Sequence, residues 1–421
     1  MPVARLNCCI QTYAWGKPGT ESKVAQLGLN ATKPAPAIHP TTPYAELWMG
    51  THPNAPSTLH AQPSITLKSH LSPENMTARV FQHFNGDLPF LFKVLSVDKA
   101  LSIQAHPDKP LAERLHAERP DVYKDDNHKP EMAIALTPFE GLCGFRSLKQ
   151  IAMHLEATPE LFEVCQPQSQ GFVRYVKATG KVVDDVENSG DDKQQLKQLF
   201  HALMTADQGR VKAQLDTLMC RINGSTPSKD TAPFSEANTL AARLHGQYPG
   251  DVGVFCAFLL NHVRLEPGQA MFLAANEPHA YIHGDCIECM ATSDNVVRAG
   301  LTPKLKDVET LVEMLTYRSF MPSSVMTQGQ AVSAATTLYK VPIPEFTVMQ
   351  VVLSKGGVMK EEVKAVQGPS ILICVEGEGT LDGNEPVKPG CVYFVPAGQG
   401  YTLQWTSGNV MRVFQAYCEL P

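Results

Sequence analysis

The stretch from Asn276 to Lys304, NEPHAYIHGDCIECMATSDNVVRAGLTPK, limits what this chain can fold into more than any other. Its apolar residues alternate as in an extended strand, yet it also carries His279, Tyr281, His283, Asp285, Glu288, Asp294, Arg298 and Lys304. Acids, bases, a potential metal ligand and cations crowd into one segment where a polar site needs them. The plainer alternative, a hairpin with solvated polar residues outside, does not explain why such groups recur upstream.

The upstream cluster lies in Leu101-Ser102-Ile103-Gln104-Ala105-His106-Pro107-Asp108 and then in His128-Lys129-Pro130-Glu131. The apolar run Phe90 to Val97 leads into it, with Asp98-Lys99 as a turn between strands. Side chains alternate along a strand, so Ser102, Gln104 and His106 share one face, and Lys129 and Glu131 share another. Together with His279, these faces supply an amide oxygen, two imidazole nitrogens and a carboxylate oxygen. Such a set suits zinc or another divalent transition metal with positions left for water or substrate. Each histidine alone reads as a hydrogen-bonded core or surface residue; the three motifs together read as a metal site.

The segments QAHPDK, HKPEMAIAL, NEPHAY and YIHGDCIECMATSDNVVRAGLTPK resemble those of the type I mannose-6-phosphate isomerases, the zinc-dependent phosphomannose isomerase family. The likeness runs from Asn7-Cys8-Cys9-Ile10-Gln11-Thr12-Tyr13-Ala14-Trp15-Gly16, through Trp48-Met49-Gly50-Thr51-His52-Pro53-Asn54, to the C-terminal β region. It implies a single Zn2+ ion per chain held by Gln104, His106, Glu131 and His279, and an essential arginine at Arg298. It also implies interconversion of mannose 6-phosphate and fructose 6-phosphate, serving GDP-mannose synthesis and glycosylation.

Organisation along the chain explains how distant ligands could meet. Residues 1–146 read as short strands broken by Pro, Gly and Asn. Residues 147–247 read as helices, since Leu148, Ile151 and Leu155, then Leu196, Leu199, Phe200 and Leu203, fall at helical spacing. Polar loops are expected at Asn188–Asp192 and Asn223–Pro233. Residues 248–319 are expected to complete the β domain, and 320–421 to form a second one. Pro267–Ala280 lines up with Pro389–Thr402: each has a Pro-Gly turn, an apolar strand, a second turn and an inward residue, His279 in one and Tyr401 in the other. This resembles the second motif of a cupin. The expected fold is mainly β with a helical insertion: two cupin-like double-stranded β-helix barrels plus an α-helical lobe. Tyr401 in place of histidine predicts a C-terminal barrel without the metal site.

Composition narrows the partners. A chain of 421 residues can bury substantial cores, and a net charge of −6 with no basic face argues against nucleic-acid binding. No apolar run reads as a signal peptide or a membrane span. The 11 cysteines are scattered and odd in number, which fits a reducing compartment. A cytoplasmic monomer acting on a small sugar phosphate is expected. Cys286-Ile-Glu-Cys289 has no second pair at zinc-ribbon spacing and reads as two buried thiols.

An aldose–ketose isomerisation needs ring opening, a base near the C1 and C2 protons, and support for an enediol oxyanion. A divalent ion with one carboxylate and three neutral ligands keeps a positive charge suited to that oxyanion. On the residues alone, proton transfer through a cis-enediol and hydride shift both stay open; the resemblance favours proton transfer. Arg298 is always charged, so it can stabilise an enediolate but is a poor base. Glu288 and Lys129 are candidate proton carriers, and His128 a candidate for ring opening. Ser102, Lys304 and Lys93 are candidate phosphate or hydroxyl contacts. Asp294 is expected to orient Arg298 or a ligand histidine. Two other functions would suit a cupin. An iron oxygenase is disfavoured by an amide ligand at Gln104, and a non-catalytic sugar-phosphate sensor by an intact Arg298.

Overall fold

The computed structural model describes residues 3–180, 188–224 and 232–420. Two large antiparallel sheets and a group of helices make up these residues, so the protein is mainly β with a helical insertion. The first sheet is built around the strand His279–Ala291. Over its C-terminal half this strand lies between Phe90–Val97 and Glu131–Ala135. Over its N-terminal half it pairs instead with Phe139–Phe145, and His279 lies opposite Gln104. The handover falls at Gly284, whose φ of 115° and close approach to Pro138 only glycine tolerates: a Cβ there would sit 2.5 Å from the Pro138 carbonyl oxygen.

Among the described residues, six helices follow the first group of strands: Leu148–Ala157, Pro159–Val164, Gln168–Thr179, Gly190–Met204, Gln208–Gly224 and Ala232–Gln247. The residues at helical spacing, Leu148, Ile151, Leu155, Leu196, Leu199, Phe200 and Leu203, are all buried in one core. The polar run at Asn188–Asp192 is only partly a loop. The Ser189 side chain accepts from Asp192 N while Asp192 Oδ2 accepts from Ser189 N, a capping box that starts the helix at Gly190. Asn223 and Gly224 end a helix, and residues 225–231 of the other expected loop lie outside the described residues. Among the described residues no helix is long and apolar enough to cross a membrane.

The second sheet is dominated by Thr347–Ser354, Ser370–Leu381, Val392–Val395 and Tyr401–Tyr417. A few short strands are exchanged between it and the first sheet's part of the chain. The N-terminal strand Ala4–Asn7 pairs with Val392–Val395, and Thr58–Leu59 joins it there. Met326–Thr327 pairs with Ala270–Leu273 of the first sheet. Strand pairing is not local in sequence, so composition along the chain does not mark these exchanges. Between the sheets lies a shared apolar layer in which Phe92, Val94, Ile134 and Ile287 meet Val348, Ile371, Phe394 and Phe414. Each such side chain contributes roughly 1.5–3 kcal/mol by leaving water.

The repeat read from the sequence has a backbone counterpart. Gly268 and Gly390 have φ of 89° and 90°, and Asn276 and Gly398, at matching positions, have φ of 61° and 73°. The strands Ala270–Leu273 and Val392–Val395 follow the first turn, and His279–Ala291 and Tyr401–Tyr417 follow the second. Tyr401 is buried, its hydroxyl donating to Gln415 Oε1. Cys286 and Cys289 are buried in different cores, and burial pushes both thiols well above their ordinary pKa.

Candidate active site

His106, Glu131 and His279 converge from three strand ends, and all are buried. Glu131 Oε1 lies 3.4 Å from His106 Nε2, and its Oε2 lies 3.5 Å from His279 Nε2. Each imidazole is fixed from behind: His106 Nδ1 donates to Asn295 O at 2.6 Å and His279 Nδ1 to Glu277 O at 3.0 Å. Those bonds leave both Nε2 lone pairs aimed at the Glu131 carboxylate, and His279 Nε2 has no hydrogen-bond partner among the described residues. Burial lowers His106 to about 4 against the pull of Glu131, so its imidazole is neutral at pH 7. Burial also works against ionisation of Glu131, yet its carboxyl is held well below the usual range, with Lys129 as the cation beside it. A buried carboxylate facing two imidazoles, one of them without a hydrogen-bond partner among the described residues at its Nε2, fits a divalent cation.

Gln104 lies opposite both His279 and Arg298 in the antiparallel pairing, so these three residues form one row across adjacent strands. Its Oε1 accepts from Ser102 Oγ at 3.0 Å, and its Nε2 faces His106 Nε2 at 3.4 Å. An amide binds a cation through oxygen, so ligation by Gln104 requires the carboxamide turned over, a change its near-symmetric shape allows.

Gln104, Glu131 and His279 form part of the wall of a cleft of about 700 Å³. Ser102, Lys93, Lys129, Glu288, Asp294, Arg298 and Lys304 all line it. Lys129 Nζ stands 3.4 Å from Glu131 Oε1. Lys93 is buried between Glu288, at 2.9 Å, and Glu46, at 3.2 Å, which neutralises it and takes it away from a phosphate. Burial would lower the Lys93 pKa, but Glu288 and Glu46 outweigh it and raise it. Burial raises the Glu288 carboxyl; Lys93 opposes this and Glu131 and Glu46 add to it. The half-buried Arg298 guanidinium has no ion-pair partner among the described residues, and desolvation lowers its pKa from the ordinary value.

Three expected positions serve elsewhere. His128 is turned away, its Nε2 2.6 Å from Glu345 Oε1, so it does not reach a sugar ring in the cleft. Asp294 is held by His52 at 3.4 Å and orients neither Arg298 nor a ligand histidine. Asp285 pairs with Lys17 at 2.6 Å outside the cleft.

Family models for the type I phosphomannose isomerase match three parts of the chain: the catalytic domain over residues 3–148, the helical insertion domain over 176–260 and the C-terminal region over 337–382. The mannose-6-phosphate isomerase of Schizosaccharomyces pombe is 44% identical across 99% of this chain and 100% of its own. The chain belongs to the type I phosphomannose isomerase family. The Homo sapiens mannose-6-phosphate isomerase is 41% identical over 99% of this chain and 98% of its own. A single-residue variant of phosphomannose isomerase from Salmonella typhimurium has a TM-score of 0.82 at 29% identity, with all of both chains covered. A mannose 6-phosphate isomerase bound with zinc and yttrium gives 0.81 at 30% identity, again over the whole of both chains.

In this member of the family, two features of the cleft escaped the sequence. Odd-numbered His279 and Tyr281 and even-numbered Glu288 and Met290 all line it, although unbroken alternation would send the two pairs to opposite faces. The corner at Gly284 reverses the parity. Glu46 is the other, a buried carboxylate that accepts from Trp48 Nε1 and pairs with Lys93. The one signal for it is a charged residue in the otherwise apolar run Ala45-Glu46-Leu47-Trp48-Met49.

Proposed function

We propose that this chain is a zinc-dependent mannose-6-phosphate isomerase, interconverting mannose 6-phosphate and fructose 6-phosphate by proton transfer through an enediol. The observation that carries the reading is a buried Glu288, its carboxyl raised by burial, lining the same cleft as Glu131 and His279 of the buried cluster and an Arg298 with no ion-pair partner among the described residues. His106, Glu131 and His279, with Gln104 once its amide is turned, would hold the ion, which when bound supplies a Lewis acid for substrate oxygens.

The remaining work falls to the chain's own residues. Glu288, with its carboxyl raised, takes a proton from one of the two reacting carbons and returns it to the other. Lys129, beside Glu131, is a second group able to move a proton to a substrate oxygen. Arg298 donates to the developing enediolate oxygen. Lys304 and Ser102 meet the phosphate, which carries nearly two charges near neutrality. Lys93 tunes Glu288.

The same reading divides the chain into a catalytic β domain of 1–146 and 248–319, a helical domain of 147–247 and a C-terminal β domain of 320–421 without its own metal site. It includes a single zinc ion per monomeric chain, a cytoplasmic location and a supply of mannose for GDP-mannose and glycosylation, all on family grounds. The test is interconversion of the two sugar phosphates by purified protein before and after chelation. Activity lost to chelation and restored by zinc supports the assignment; a zinc-loaded protein without turnover overturns it in favour of a sugar-phosphate sensor.

A further inference from the structure

The cations of the cleft divide into two groups. Lys93 and Lys129 are paired with carboxylates. Arg298, Lys304 and Lys99 also line the cleft, and none of them makes an ion pair with a described carboxylate. Lys99, a turn residue by sequence, is held on both sides. Its backbone N–H donates to Trp15 O at 3.1 Å, and its Nζ stands 4.1 Å from the centre of the Tyr248 ring. An aromatic face orients an ammonium group without neutralising it, as a carboxylate would.

Tyr248 directly follows the helix Ala232–Gln247 and is itself pinned to the cleft. Its hydroxyl donates to Ala100 O at 2.6 Å, and Gln247 Oε1 accepts from Ala100 N at 3.0 Å. The same segment reaches the opposite rim, where Asp251 Oδ1 accepts from Leu301 N at 2.7 Å and Oδ2 from Thr302 N at 3.3 Å. Thr302 Oγ1 in turn accepts from Lys304 N at 3.1 Å. Gly300 lies opposite Ile103 in the antiparallel pairing, so the two rims run out side by side from the strands. Residues 247–251 therefore fasten the segment bearing Lys99 to the one bearing Lys304.

Resting on the sugar-phosphate reading of this cleft, we infer that Tyr248 holds Lys99 as a second cation, beside Lys304, for the substrate phosphate. The end of the helical region, and not the β core alone, then sets the preference for a phosphorylated over a neutral sugar. A surface lysine lying idly on a ring would have no such effect.

The test uses the zinc-loaded full chain with inorganic phosphate as the probe, its binding measured by calorimetry. Lys99→Met is expected to weaken phosphate about tenfold and to raise KM for mannose 6-phosphate by a similar factor, with kcat changed less than about threefold. Lys99→Arg restores both values, and Tyr248→Leu, which removes the ring, moves them in the same direction by less. Unchanged phosphate affinity in Lys99→Met with zinc content intact overturns the inference, as does a loss confined to kcat. Lys99-dependent phosphate binding in a protein that does not isomerise mannose 6-phosphate would uphold the anion site and remove the substrate reading instead.

Discussion

Glu288 and Lys93 lie directly opposite each other on neighbouring antiparallel strands, and their charged ends meet at 2.9 Å in a buried cleft. The contact sets the proton affinity of the carboxylate proposed to carry the reaction. Burial, Glu131 and Glu46 raise the Glu288 pKa, and Lys93 alone among its strand partners lowers it.

Removing that cation makes Glu288 harder to ionise. In Lys93→Met the rising limb of the pH–rate profile, which follows ionisation of Glu288, should move to higher pH by about one unit or more. Leaving Glu288 and Glu46 buried without their partner should also cost about 3–5 kcal/mol of stability. An unmoved limb would take Glu288 out of the proton-transfer role.

Arg298→Ala should keep its zinc and lose turnover by about a hundredfold to a thousandfold, the usual effect of removing a donor to a developing oxyanion. Arg298→Lys should rescue little, because a single ammonium does not replace the planar fork. Metal analysis beside steady-state kinetics checks both, and near-normal turnover would contradict the assignment.

His279→Ala should lose metal as well as activity. Its Nε2 is buried without a hydrogen-bond partner among the described residues, and its Nδ1 is already given to Glu277 O. Stoichiometric zinc retained by this variant after gel filtration would argue against the ligand set.

Gly284→Ala should destabilise the protein by about 2 kcal/mol or more and lower turnover with it, because the added Cβ meets Pro138 O and the backbone is left-handed there. The unfolding midpoint and kcat measure the two effects. A variant normal in both would mean the strand can turn its corner without glycine.

His154 predicts an acid weakness remote from the cleft. Its ring packs against Phe234 and Phe258, its Nδ1 has no partner, and burial, with Arg146 adding, lowers its pKa to about 4. The folded pKa lies below the unfolded value of about 6.5, so this contribution is whole above pH 6.5 and is lost as pH falls towards 4. In His154→Phe the drop in urea stability between pH 7 and pH 4.5 should shrink by roughly 2–3 kcal/mol. An equal drop in both proteins would assign the acid sensitivity to other groups.

Much of this was legible in the chain because its signals are local. Helical spacing at Leu148, Ile151 and Leu155 needs only about two turns of helix to be read, and these residues are buried. The types and order of Gln104, His106, Glu131 and His279 named a nitrogen and oxygen site, and three of the four now face one another. His128 and Asp294 were misplaced for a different reason. Their partners, Glu345 and His52, come from distant segments, and a charged side chain takes whichever opposite group the fold brings nearest.

The sequence by itself determined the kinds of group in the cleft, the helical and extended stretches, and the family. Only the tertiary structure decided which charges cancel. Lys93 is consumed by Glu288 and Glu46, whereas Lys99, Arg298 and Lys304 pair with no carboxylate among the described residues. The physical reason is that strand register and the corner at Gly284 are set by pairing between segments far apart in the chain. Electrostatic interaction falls with distance and strengthens with burial, and neither can be read from the order of residues.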